Sequence, residues 1–333
     1  MSEILQANLY TVEETKSAIE SGKILWLAGD ENLLNQLPKG RWVGGTIPYF
    51  MAGQGGTCSR DVIFVHELDP ALTSKVQIKF YTTATIQNIA KDAPEDGFSV
   101  LLLPALSDIH LQYAQNAPDY EEMFFKPIIG WVSGMHLDDH DRSIPRVFNG
   151  GIGEGSTDKA IVMHVTLKPG KAAHIGIVNI QEQGDGDTLE FTETGFSAGN
   201  VLVNGVEMNF SEYLTANKID YRQPLVADYS GTMINVSFQG VNPETKTVSF
   251  YAPVFSGVEY RLARPVGDYL DAFTSALPKL NSDVVFSCNC ILNYLYSELQ
   301  GKQTPPMFGP MTFGEIAYQL LNQTLVYLVV EDF

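Results

Sequence analysis

Two thiols one residue apart, Cys288 and Cys290, stand where the apolar run "DVVFS" gives way to "ILNYLY". A cysteine attacks as its thiolate, and a thiolate needs a positive neighbour or a helix N-terminus beside it. A helix beginning near residue 290 would supply the second, while no cation is visible close by. Spacing by one residue makes joint metal ligation awkward, so the plain reading is a pair of buried thiols. Glu315 follows Phe313-Gly314 and precedes Ile316. A carboxylate there needs a donor or a bound cationic group opposite it, or else a turn that keeps it in water. Asn322-Gln323-Thr324 stand at the entrance to "LVYLVV". If buried, each amide or hydroxyl left without a partner costs about 1–3 kcal/mol. A sheet backbone could supply the partners, and so could a ligand.

Other motifs carry less. "GFSAG", residues 195–199, matches G-x-S-x-G, but all six histidines precede Ser197, so the hydrolase order of Ser, acid, His cannot be met. The strand-like "NVLVNGV" follows in place of a helix, and the motif reads as a turn. "GMHLDDHDRS" sets His136 and His140 four apart, as two ligands on one helix face would be. The stretch is short and acid-rich, no third ligand is in view, and it reads as a surface loop. No metal is assigned; His136 and His140 are the residues that would hold one. The Gly-rich "AGQGGT" and "NGGIGEGS" lack the Lys-Ser/Thr of a phosphate loop and read as hairpin turns.

Bulk properties narrow the classes. With 21 Lys+Arg against 39 Asp+Glu the net charge is −18, which repels a phosphate backbone, and no basic cluster offsets it. Nucleic acid is therefore not an expected partner. The N-terminus has no basic-then-apolar leader, and no apolar run is long enough to span a bilayer, so membrane insertion is not expected. Three cysteines suggest no disulfide framework and a cytoplasmic setting.

The elements that must position these residues are legible by period. A helix is expected over 11–22, with Thr11 as N-cap, Glu14 completing a capping box and Gly22 as the stop. "KILWLAGD", "RWVGGTIPYFM", "DVIFVHEL", "KVQIKFYT" and "SVLLLPAL" read as strands, "DENLLNQLPKG" and "TATIQNIAKDA" as helices. From about residue 126, strands follow one another across Gly and Asp turns, the cadence of antiparallel pairing. "GNVLVNGVEMNFSEYLTAN" reads as strand, turn and helix, "VNPETK" as a hairpin turn, and "DVVFSCNCILNYLYSELQG" as strand into helix. "TLVYLVV" has the β-branched composition of a central strand buried on both faces. The irregular order indicates an α+β fold, with mixed, largely antiparallel sheets flanked by helices. At 333 residues two packed domains are expected.

"MTFGEIAYQLLNQTLVYLVV" resembles the end of the C-terminal FIST domain, a sensory module of intracellular signal transduction. That domain closes with an aromatic-x-Gly-Glu-Ile segment and then His-Asn-Gln-Thr. "VVFSCNC" falls where the family has a strand ending in Cys, followed there by Gly-Arg. "GNVLVNGVEMNFSEYL" resembles the passage joining the two FIST halves, and "RWVGGTIPYFM" a strand of the N-terminal half. Leu321 stands in place of the family's His, and Asn289-Cys290 in place of its Gly-Arg. The haem that some relatives bind loses an imidazole here, and an anion clamp loses its guanidinium.

The resemblance implies a FIST N-like domain over 1–198 and a FIST C-like domain over 199–333. It implies a non-catalytic sensor of an amino acid or similar small metabolite, with no cofactor, that passes its signal to a separate protein. The ligand-binding residues expected are Cys288, Gly314, Glu315, Asn322, Gln323 and Thr324. The enzymatic alternative has Cys288 and Glu315, joined by a histidine, doing nucleophilic or acid-base work. A purely structural partner protein would instead show no pocket and an apolar surface patch.

Overall fold

The computed structural model describes residues 8–139, 142–229, 232–280 and 282–332. The fold is α+β, with mixed and antiparallel sheets and short helices between them. The chain divides into two compact units. The first comprises residues 1–177, 278–319 and 325–333, the second residues 178–277 and 320–324. The chain thus enters the second unit twice, and position 198/199 lies inside that unit, between the strands Gly195–Ala198 and Asn200–Val203.

Local chemistry starts the first unit. Thr11 caps the helix Val12–Glu20 by accepting from Glu14 N, and Glu14 returns the bond to Thr11 N at 2.8 Å. Ser21 is the C-cap, and Gly22 then adopts φ +82°, a left-handed exit that glycine takes without a Cβ clash. The all-apolar strand Ile24–Gly29 follows and runs parallel to Trp42–Thr46. Antiparallel Ile63–Leu68 lies on its other side, and Val147–Asn149 flanks Trp42–Thr46. In a second sheet, Gly97–Pro104 lies between its parallel neighbour Ile128–Ser133 and antiparallel Ala160–Leu167. Glu315–Ala317 extends that sheet antiparallel to Ile128–Ser133. In a third, Leu325–Asp332 is flanked on both sides, by Lys171–Val178 and Val284–Cys290. The expected central position of "TLVYLVV" is the observed one.

Aromatic residues join these sheets. Trp26 of the first sheet meets Phe98 of the second at 5.9 Å and Phe286 of the third at 6.0 Å, ring edge to face. Its indole N–H points at Met163 Sδ, so the ring's one polar atom is not orphaned in the core.

The second unit is mainly antiparallel. One sheet orders Val206–Asn209, Asn200–Val203, Leu189–Glu190, Glu259–Leu262, Leu225–Tyr229 and Thr232–Val236. A smaller one joins Gly195–Ala198, Thr247–Val254 and Phe238–Asn242. Phe191, Phe210, Phe238, Phe250 and Tyr260 fill its core. The hairpin expected around "VNPETK" is present, with Asn242 paired to Thr247. "GFSAG" is corrected: residues 195–198 form a strand, not a turn, and Ser197 pairs opposite Ser249. The ladder is supplied by "TVSFYAPV" about fifty residues away, a partner that short-range turn residues do not reveal.

Candidate functional site

The residues expected to bind a ligand fall into two groups. Cys288, Gly314 and Glu315 belong to the first unit; Asn322, Gln323 and Thr324 belong to the second.

In the first unit the sequence does bring Cys288 and Glu315 together. Cys288 ends in the strand Val284–Cys290, and the helix Ile291–Tyr296 starts at once, as the strand-into-helix pattern indicated. The thiol is buried and donates to Gly130 O at 3.3 Å. Burial pushes its pKa well up, and the nearby Glu315 carboxylate pushes it further. Glu315 is fully buried on the strand Glu315–Ala317, opposite Trp131, so the two side chains share a sheet face. Thr312 Oγ1 donates to Glu315 Oε1 at 3.3 Å, with Gly314 O at 3.1 Å from the same hydroxyl. The void beside Cys288, lined among others by Met51, Asn289, Met307 and Leu325, has no room for a water molecule. Among the described residues no imidazole is hydrogen-bonded to Cys288. Thiol and carboxylate are neighbours in packed interior.

In the second unit, Asn322, Gln323 and Thr324 are each at most 1% exposed. Asn322 Nδ2 donates to Leu321 O at 3.1 Å, and Gln323 Nε2 to Arg222 O at 3.1 Å. Gln323 adopts φ +50°. The backbone O of Asn322 accepts from Asn235 Nδ2, and Asn235 exchanges a reciprocal amide pair with Asn179, each bond 3.0 Å. The side-chain amides of Asn322 and Gln323 thus donate to main chain. The acceptors Asn322 Oδ1 and Gln323 Oε1 have no partner among the described residues.

An open pocket of about 230 Å³ lies elsewhere in the first unit, where three apolar strands end. Gly29-Asp30 leave the strand Ile24–Gly29, Thr46-Ile47-Pro48 leave Trp42–Thr46, and Gly134-Met135-His136 leave Ile128–Ser133. The carboxyl ends of parallel strands are where open α/β sheets place ligands, because the chain diverges there and leaves a crevice. Thr46 ties its own exit to that of Ile128–Ser133, and Ile47 N donates to Gly29 O at 3.0 Å to join the third. The Thr46 hydroxyl donates to Gly134 O at 2.8 Å and accepts from Arg146 N at 2.9 Å, while the Thr46 backbone O accepts from Gly134 N at 2.7 Å. Gly45, one residue before it, must lack a side chain, since a Cβ there would overlap Ser133 Oγ.

Charged side chains line this pocket. Arg60 Nη2 lies 2.7 Å from Asp139 Oδ2. Asp30 Oδ1 accepts from Asn32 N at 3.0 Å, capping the short helix Glu31–Leu34. Glu31 Oε1 is 3.2 Å from Arg146 Nε, a charge contact without hydrogen-bond geometry. His136 stacks on Tyr49, ring centres 5.5 Å apart, and its Nδ1 accepts from Asp138 N at 3.2 Å. That bond leaves the proton of a neutral ring on Nε2. Tyr49 OH accepts from Leu137 N at 3.2 Å, which holds the turn Leu137–Asp139 against the pocket. Burial is the main cause that pushes the Tyr49 phenol up, so it stays a neutral hydroxyl.

His136 therefore lies on the wall of the pocket, and His140 lies outside the described residues. Among the described residues no cluster of three His, Cys, Asp or Glu side chains could hold a metal ion. Arg60, Asp30, Glu31 and Tyr49 were not singled out by sequence. The available signal was two apolar strands, each ending in Gly-Asp or Thr-Ile-Pro, whose parallel pairing makes those ends converge.

An α+β protein with a metabolite-sized, charge-lined pocket is the class so defined. The chain matches, over residues 10–331, a family of unknown function (DUF6976), and it belongs to that family. None of the curated proteins matches it.

Proposed function

We propose that this protein binds a small polar metabolite, an amino acid or a molecule of similar size, in the pocket formed by Asp30, Thr46, Arg60, Gly134, His136 and Asp139. In this reading it is a non-catalytic sensory protein of the FIST type, and a separate protein receives the signal. The observation that carries the reading is the pocket itself. Its volume of about 230 Å³ is below the roughly 300–1,000 Å³ of drug-sized sites, so it suits a metabolite. Its wall holds donors and acceptors of both charges on short, pinned chain exits.

Chemistry at Cys288 and Glu315 is less well supported. A nucleophilic thiolate needs a lowered pKa and a space for substrate, and Cys288 has burial, a carboxylate neighbour and no room beside it.

The test is a thermal-shift screen of amino acids and small carboxylic and amino metabolites. A ligand at a hundred times its Kd stabilises the folded state by about 2.7 kcal/mol. The shift is expected to vanish in R60Q and to persist in C288A. No shift with any member of the panel, or a shift lost in C288A alone, overturns the assignment.

A further inference from the structure

We infer that the pocket recognises a carboxylate on its ligand, and that Asp139 occupies the ligand carboxylate's place on Arg60 when no ligand is bound. The inference rests on the pocket reading above and adds the chemistry of the ligand and what holds Arg60 without it.

Three carboxylates and one guanidinium line the pocket, which at first sight favours a cationic ligand. The partners reverse that view. Asp30 is engaged by Asn32 N and Glu31 by Arg146, both part of the scaffold around the short helix. Asp139 differs, because its partner is Arg60, which itself lines the pocket. The side chains in this pair are 45% and 22% exposed, and the contact is a single Nη2–Oδ2 approach of 2.7 Å. Pairs this open add at most about 1 kcal/mol and exchange partners readily. A guanidinium offers five N–H donors in a planar fork that a carboxylate fits with two oxygens, so one contact leaves most of it unused. His136 adds an imidazole to the same wall.

Exchange of Asp139 for a ligand carboxylate removes one contact of the turn Leu137–Asp139, which Leu137 N to Tyr49 OH, Asp138 N to His136 Nδ1 and the Asp139 backbone bonds continue to hold. Ligand binding is then read as a local change at the Asp139 side chain.

The experiment compares the full chain with D139N, R60Q and H136Q by titration calorimetry at constant ionic strength. The probes are sodium succinate, sodium acetate and ethylamine hydrochloride. The expected result is succinate binding that tightens about two- to fivefold in D139N, the factor equivalent to losing a competitor worth up to about 1 kcal/mol. Binding weakens at least tenfold in R60Q and less in H136Q, and ethylamine does not bind. If ethylamine binds and D139N weakens it, the carboxylate assignment fails while the pocket stands. If no succinate binds even to D139N but another metabolite does, the assignment again fails alone. If nothing in the metabolite panel binds, both fail.

Discussion

Two polar regions of the first unit are built from similar residue types and differ in what surrounds them. Around Cys288 and Glu315, a buried thiol and a fully buried carboxylate stand on sheet strands, Glu315 opposite Trp131, and the void beside the thiol has no space for water. Around Arg60, His136 and Asp139, side chains of equal polarity stand at diverging strand ends over a pocket of about 230 Å³. A polar residue in an apolar context signals that a partner must exist. Whether that partner is the protein or a ligand depends on space, which residue type does not encode.

The comparison predicts sharply different sensitivities. The largest effect should come from acid. His66, His110 and His164 are buried, and burial lowers each pKa to about 4. The unfolded chain titrates them near 6.5, so between those values it binds more protons than the folded one, and stability falls as pH drops from about 6.5 to 4. Each histidine contributes on the order of 3 kcal/mol over that window. His164 is held at both nitrogens, by Ser99 Oγ at 2.7 Å and Tyr81 OH at 2.8 Å, and burial is the main cause that lowers its pKa. Urea midpoints between pH 7 and 4 should fall steeply, and H164Q should make the fall shallower. A flat profile would show that this interior admits water.

Next come substitutions in the sealed region. Glu315→Ala removes a fully buried side chain and should cost about 3 kcal/mol, read from urea unfolding. Gly130→Ala should cost at least as much, because its Cβ would overlap Leu101 O, a backbone atom that cannot step aside. If Glu315→Ala is silent, the sealed region is not sealed.

Thiol reactivity separates the regions without mutation. Cys288 and Cys290 are buried, whereas Cys58 is half-buried beside Tyr49 and Arg60. Native protein should release one equivalent with a disulfide reagent, slowly because burial raises the Cys58 thiol as well, and three after denaturation. Fast native reaction at Cys288 would reopen the nucleophile reading. The smallest effects belong to the pocket: Asp139→Asn and Arg60→Gln should each change stability by no more than about 1 kcal/mol, while changing binding as described.

Much of the local structure was legible. The capping box at Thr11 and Glu14, the strand-to-helix change at Cys290, the hairpin around Pro243 and the central strand 325–332, buried at Leu325, Val326, Leu328 and Val329, all follow from short-range rules that the structure obeys. The site was less so. Cys288 and Glu315 were placed together correctly, but their surroundings are Gly130, Thr312 and Trp131, three segments that only sheet pairing assembles. The amides Asn322 and Gln323 lie in the other compact unit, although only six residues stand between Glu315 and Asn322 in the chain. Arg60 carried no motif at all.

By itself the sequence determined the α+β class, the acidic surface and the elements, because capping, period and composition act within a few residues. It also determined that Cys288, Glu315 and the Asn-Gln-Thr triplet would need partners. Only the tertiary structure decided which partners. Parallel pairing of Ile24–Gly29 with Trp42–Thr46 and the exit of Ile128–Ser133 beside them opened a pocket at His136. Close packing shut the space at Cys288. Cavities are what is left when distant segments meet, so no local rule can foresee them.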